Sequence, residues 1–275
     1  MVQAGREIIE RQPQVEDMVA MLTPMFESFL AEPATTEVHD RIRQGVVFYM
    51  ASLAKHIPAD DPKIAQVVTR LMAALGTPSE AVQRTISQSL ASLVGKAAVK
   101  PNASQYLADL QDTLTKSPSY AERRGAAFGL AGVVKGLGIP SLKQHGVMTA
   151  LQAIVESKAK GEQESNAREG ALQAFECLCE SLGRLFEPYI ITILPLLLAC
   201  VADGSGSVRY AAVSASQKIM SQLSAQGVKM VLPSLLRALD EEKWRTKHAA
   251  VELLGSMAYC APKQLSATLP QVVPA

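Results

Sequence analysis

Histidine and cysteine are the side chains best suited to metal or nucleophilic chemistry, and this chain carries four of each. His39, His56, His145 and His248 are scattered, with no His-Glu-x-x-His pair to set two ligands on one helical face. Cys177 and Cys179 stand two apart, which turns their thiols about 200° away from each other around a helix. With Cys200 and Cys260 they form no Cys-x-x-Cys pair of the kind a zinc site uses, so all four read as small core residues. The run Gly129-Leu130-Ala131-Gly132-Val133-Val134-Lys135-Gly136 misses the phosphate-loop spacing and lies in a helical pattern, where glycine serves close packing. Asp203-Gly204-Ser205-Gly206-Ser207 lacks the order of a nucleophile elbow and reads as a turn. No catalytic residue, cofactor site, metal site or small-molecule substrate is expected, and the chain is not expected to be an enzyme.

What recurs instead is a cation before a small residue. Arg43-Gln44-Gly45, Gln83-Arg84-Thr85, Arg123-Arg124-Gly125, Arg168-Glu169-Gly170, Arg209-Tyr210-Ala211 and Lys247-His248-Ala249 form one column, with steps of 40, 40, 45, 41 and 38 residues. The second copy departs at both positions, through Gln83 and Thr85. Leu194-Pro195, Leu232-Pro233 and Leu269-Pro270 keep nearly the same period, at 38 and 37 residues. A duty repeated in every unit points to structure, so Arg43, Arg123, Arg168, Arg209 and Lys247 are expected to bond an acid or carbonyl of the neighbouring unit. Cations off the column are the candidate partner contacts: Arg124, Lys158 and Lys160 in a loop, and Lys243 and Arg245 beside the only tryptophan, Trp244.

A period near 40 residues matches two helices per unit, the HEAT or armadillo spacing. Ala171, Ala174, Phe175, Leu178 and Leu182 mark one helical face, and Ala250, Leu253, Leu254 and Met257 repeat it. First helices are predicted near 13–30, 62–75, 103–116, 141–157, 188–201, 228–239 and 263–275. Second helices are predicted near 37–56, 79–98, 119–137, 164–183, 206–223 and 241–259, with residues 1–11 the tail of another. Thr77-Pro78-Ser79-Glu80 offers a capping box, while Asp61-Pro62 and Ser117-Pro118 offer simpler helix starts. The fold expected is an all-α solenoid of HEAT repeats, about six helix pairs with partial repeats at both ends. Neither end carries a polar capping repeat, so the chain is expected to be cut from a longer array.

Composition agrees, at 48 % hydrophobic but only 5 % aromatic residues. A net charge of +1, from 27 basic and 26 acidic residues, excludes a binder dominated by overall charge while leaving local basic patches open. No uninterrupted apolar run reaches membrane-span length and the start has no signal-like apolar region, so a cytoplasmic protein is expected.

The run Lys243-Trp244-Arg245-Thr246-Lys247-His248-Ala249-Ala250-Val251-Glu252-Leu253-Leu254-Gly255, continuing through Ala261-Pro262-Lys263-Gln264-Leu265, is specific beyond the repeat pattern. With Tyr120-Ala121-Glu122-Arg123-Arg124-Gly125-Ala126-Ala127-Phe128-Gly129 and Leu185-Phe186-Glu187-Pro188-Tyr189, it resembles the elongation-factor-3-like region of the large HEAT-repeat activators of the general amino-acid control kinase. The resemblance covers residues 119–275, whereas residues 1–118 share only generic HEAT repeats. It implies a ribosome-bound scaffold, meeting ribosomal protein or RNA, that senses stalled or collided ribosomes together with an ABC-F ATPase partner. It also implies activation of the kinase of the initiation factor 2 alpha subunit, through a region outside this chain. Elongation factor 3 itself is similar around Lys243-Trp244 and Ala261-Pro262-Lys263, which keeps the HEAT array of such an ATPase as an alternative. A protein-only scaffold, such as a transport receptor or phosphatase subunit, is the other.

Overall fold

The computed structural model describes residues 36–260 and, outside them, residues 7, 22, 24–26, 28–29, 262–263 and 266, the side chains of 37, 40 and 257–260 excepted. Most of the helices expected at 1–11, 13–30 and 263–275 therefore lies outside the described residues. Among the described residues all regular structure is helical, as the period required.

The chain forms two compact units, residues 1–145 and 146–275. In the first, α1 (Glu37–Ala54) is followed by the pair α2 (Pro62–Ala74) and α3 (Glu80–Leu93), then by α4 (Ala103–Lys116) and α5 (Tyr120–Leu137), with a short α6 (Pro140–Gln144). The second holds three pairs: α7 (Val147–Glu156) with α8 (Glu162–Leu182), α9 (Glu187–Cys200) with α10 (Gly206–Gln222), and α11 (Ala225–Leu239) with α12 (Trp244–Cys260). Second helices stack on second helices, α1 on α3 on α5 in one unit and α8 on α10 on α12 in the other. First helices α7, α9 and α11 line up likewise.

The apolar stripes supply the cores. Ala171, Ala174, Phe175 and Leu178 are fully buried on α8, and Ala250, Leu253 and Leu254 are buried on α12. Each large side chain so buried contributes roughly 1.5–3 kcal/mol. Alanine and glycine on the second helices let their backbones come close, which accounts for the scarcity of aromatic residues. Pro195 and Pro233 lie inside α9 and α11 on their exposed faces.

Three local expectations are corrected. The single helix expected over 141–157 is two, parted where Gly146 takes φ 62°. Thr77 does not cap α3, which begins at Glu80 behind Ser79. Pro118 likewise precedes α5, whose N-cap Ser119 accepts a bond from the Glu122 amide. Asp61 does cap α2, its carboxylate accepting from the Lys63 amide at 2.8 Å. By length and composition alone the run 162–200 is long and apolar enough to cross a membrane. It is nonetheless two helices, broken by a 3-10 turn at Gly183–Phe186 where Gly183 takes φ 56°.

Candidate partner-binding surface

The column residues sit one to two turns into their helices, and helical side chains lean toward the N-terminus. That lean carries three of the guanidinium groups back over the loop that precedes their own helices. Arg123 Nη1 donates to the carbonyls of Ser117 (3.1 Å) and Pro118 (2.8 Å). Arg168 Nη1 donates to Ser157 (3.4 Å) and Ala159 (2.9 Å), and Arg209 Nη1 to Asp203 and Gly204, both at 2.9 Å. These carbonyls belong to the same repeat, where a neighbouring unit was expected. Arg168 also reaches forward, its Nε 3.1 Å from Asp203 Oδ2 in the next loop.

Gln83 takes over the column duty in the second copy. Its Nε2 lies 3.0 Å from the Leu75 carbonyl, 2.7 Å from that of Thr77 and 2.8 Å from that of Ala121 in the next repeat. The claim on the Thr77 and Pro118 carbonyls explains why α3 and α5 begin later than their prolines suggested. Lys247 departs in the other direction: it is exposed, while its neighbour Thr246 is buried with Oγ1 3.5 Å from the Leu198 carbonyl. Arg43 is half-buried on α1. Two contributors went unread in the sequence. Lys96 Nζ donates to the carbonyls of Ala54, Lys55 and Ile57 at 2.8–3.1 Å, closing the end of α1, and burial pushes its pKa down. Asp203 is the other.

The off-column cations divide. Arg124 is engaged internally, donating to Gln83 Oε1 (2.8 Å) and the Pro78 carbonyl (2.6 Å), with Glu80 at 3.6 Å. Arg245 lays its guanidinium 4.8 Å from the ring centroid of Trp244, which is 64 % exposed and meets His248 edge-on. Lys158 and Lys160 are exposed on the loop between α7 and α8, and Lys243 is exposed just before α12. The first two border a cleft of about 740 Å³ between the 157–161 and 203–205 loops, floored by Val155, Leu196 and Ala199. Lys243 borders a second cavity of about 310 Å³, which also includes Ala199. Thus Lys158 and Lys160 border one cavity and Lys243 another, the two sharing Ala199 of α9, whereas Arg124 and Arg245 border neither.

Among the described residues, no group of three or more His, Cys, Asp or Glu side chains could hold a metal. Cys177, Cys179 and Cys200 are buried, and burial pushes the thiols of Cys179 and Cys200 up to about 12 and about 11. A thiol held so far above neutrality is almost wholly protonated and a poor nucleophile. Iodoacetamide at pH 8 is therefore expected to leave Cys179 and Cys200 unmodified in the folded chain and to label both in urea, as read by peptide mass spectrometry. Rapid labelling of either in the native chain would contradict this.

The family described as EF3 N-terminal HEAT repeat matches residues 123–275, and that described as Stalled ribosome sensor GCN1, HEAT repeats, matches residues 1–55. The chain is 51 % identical over 276 residues to Protein ILITYHIA of Arabidopsis thaliana, covering 100 % of this chain and 10 % of that protein. It is 52 % identical over 259 residues to the Stalled ribosome sensor GCN1 of Homo sapiens, covering 94 % of this chain and 10 % of that protein. It thus spans about a tenth of the length of the curated relatives it matches. The crystal structure of Kap121p bound to Pho4p superposes with a TM-score of 0.63 at 13 % identity, covering 99 % of this chain and 29 % of that one. At that identity the likeness shows the HEAT-type fold alone. The match over 123–275 spans more than half of the chain, which belongs to the EF3 N-terminal HEAT-repeat family.

Proposed function

We propose that this chain is a non-catalytic, ribosome-associated scaffold segment that takes part in sensing stalled ribosomes and in activating the kinase of the initiation factor 2 alpha subunit. The observation that carries the reading is the 52 % identity to a stalled ribosome sensor across nearly the whole chain. Kap121p keeps the same fold at 13 % identity, so the fold itself demands little of the sequence. Identity of about one half exceeds what core packing and loop geometry require, and the excess supports a partner surface held in common. The extent of the match favours this reading over the HEAT array of an elongation-factor-3-type ATPase.

In this reading the segment supplies a cytoplasmic surface for the ribosome and an ABC-F ATPase partner, while the kinase is met by a region outside this chain. It needs no cofactor, small-molecule substrate or membrane. Charge reversal at Lys158, Lys160, Lys243 and Arg245 in the whole protein is expected to lower its fraction cosedimenting with ribosomes severalfold. Phosphorylation of initiation factor 2 alpha on amino-acid starvation should weaken in step. Cosedimentation equal to wild type would remove the ribosome contact from this segment.

A further inference from the structure

The furrow over α9 has a floor, a saddle and charged ends, and together these specify a ligand. Its floor is aliphatic: Val155 and Leu196 on one side, Pro195, Leu198 and Ala238 on the other. Ala199 is exposed between the two cavities and borders both, and its single methyl makes the saddle low enough for a chain to pass from one to the other. Neighbouring first helices stand roughly 8–10 Å apart, so the course from α7 across α9 to α11 is roughly 20 Å. That is the length of about six residues of extended peptide.

The ends of the furrow are basic. Lys158 and Lys160 stand at one, Arg237 and Lys243 at the other, and none forms an ion pair with a carboxylate among the described residues. Glu156 and Glu241 share the rims, so four cations against two acids leave an excess of two positive charges. Arg168 adds nothing to that excess, because Asp203 neutralises it within the wall. Among the described residues no aromatic ring lines either cavity, which leaves unpaired bases nothing there to stack on. An aliphatic floor also suits apolar side chains and gives a sugar-phosphate backbone no partner.

We infer that the furrow over α9 is a docking groove for an extended peptide segment of a protein partner, aliphatic at its centre and acidic at both ends. The inference deepens the scaffold reading and takes its setting from it, but its physical basis is the groove itself. Alternating side chains of an extended strand would rest on the floor on either side of Ala199, while the terminal carboxylates meet Lys158 and Lys160 at one end and Arg237 and Lys243 at the other. Charge at the ends would fix direction and speed of encounter, and the aliphatic centre would supply the burial.

The test uses the intact chain and a fluorescein-labelled peptide, Asp-Glu-Leu-Ala-Val-Leu-Asp-Glu, read by fluorescence anisotropy. The peptide is expected to bind, more weakly as salt rises, and a version with lysine at every acidic position is not. Combined Lys158→Glu, Lys160→Glu and Lys243→Glu substitution is expected to weaken binding by about tenfold or more. Ala199→Trp, on an exposed position, should abolish binding while the circular-dichroism melt stays as in wild type. Absence of peptide binding, or Ala199→Trp binding like wild type, would overturn the groove. Binding of a labelled poly(U) 20-mer that Ala199→Trp abolishes would overturn it as well, assigning the furrow to RNA. The two readings separate cleanly: a wild-type protein that fails to cosediment with ribosomes sinks the ribosome reading and leaves peptide binding standing. Intact cosedimentation with no peptide binding sinks the groove alone.

Discussion

Arg168→Met is expected to lower the stability of the unit spanning residues 146–275 by about 3–5 kcal/mol, the range for breaking a buried ion pair by removing one partner. The Arg168 side chain is 9 % exposed and that of Asp203 18 %, so solvent takes over only part of the charge that remains. Methionine fills much of the same volume but leaves Asp203 without its cation, and the Ser157 and Ala159 carbonyls without a donor. Asp203 Oδ1 also accepts the Ser205 amide at 2.8 Å, so the loop that opens α10 loosens with it. Asp203→Asn keeps an oxygen for that amide and removes the charge. Arg168→Met in the Asp203→Asn background should therefore be at least about 1 kcal/mol less damaging than in wild type, the interaction a double-mutant cycle isolates. Urea unfolding followed by circular dichroism and by Trp244 fluorescence measures both. Strict additivity would show that the pair carries no coupling. At Arg123 the same change takes the donor from the Ser117 and Pro118 carbonyls, and those bonds to a charged group are worth about 1.5–3 kcal/mol.

The contrast between these arginines marks how far the sequence could be read. The helices and their core faces were legible because burial imposes a 3.6-residue period: Ala171, Ala174, Phe175 and Leu178 declare α8 without any knowledge of its neighbours. The column itself was legible as a recurrence, but residue type misled about its members. Gln83 looked like a lapse, yet its amide has the donors the loop carbonyls need. Lys247 looked like a member and is exposed. The caps of α3 and α5 were misplaced by two residues, because a proline signal is local whereas the claim on the Thr77 and Pro118 carbonyls comes from side chains five or six residues on. The furrow was half legible. Any repeat of this period places successive interhelix loops on one edge, which is why Lys158 and Lys160 border one cavity beside α9 and Lys243 the next despite their separation in sequence. The saddle at Ala199 was not, since one more alanine in an apolar helix carries no signal of what stands on either side of it.

The same substitution, glycine to alanine, is expected to act with opposite sign at two kinds of position in these helices. On α5 a Cβ at Gly125 would fall on the Leu75 carbonyl, and one at Gly132 on the Ser87 backbone of α3. Backbone cannot rotate aside as a side-chain tip can, so the helix must shift. Overpacking of this kind typically destabilises by about 1–3 kcal/mol, and Gly125→Leu should exceed Gly125→Ala. On α12 a Cβ at Gly255 meets no atom within 4 Å among the described residues. Alanine there only restricts the unfolded chain and favours the helix, which stabilises by roughly 0.5–1 kcal/mol. Urea midpoints of Gly125→Ala, Gly132→Ala and Gly255→Ala separate the two effects, because helix propensity is common to all three and contact is not. A rise in midpoint at Gly125 or Gly132 equal to that at Gly255 would mean that α5 is not held against its neighbours by backbone contact. The low aromatic content would then need another cause, since close approach through glycine and alanine is what lets cores this poor in large rings exclude water.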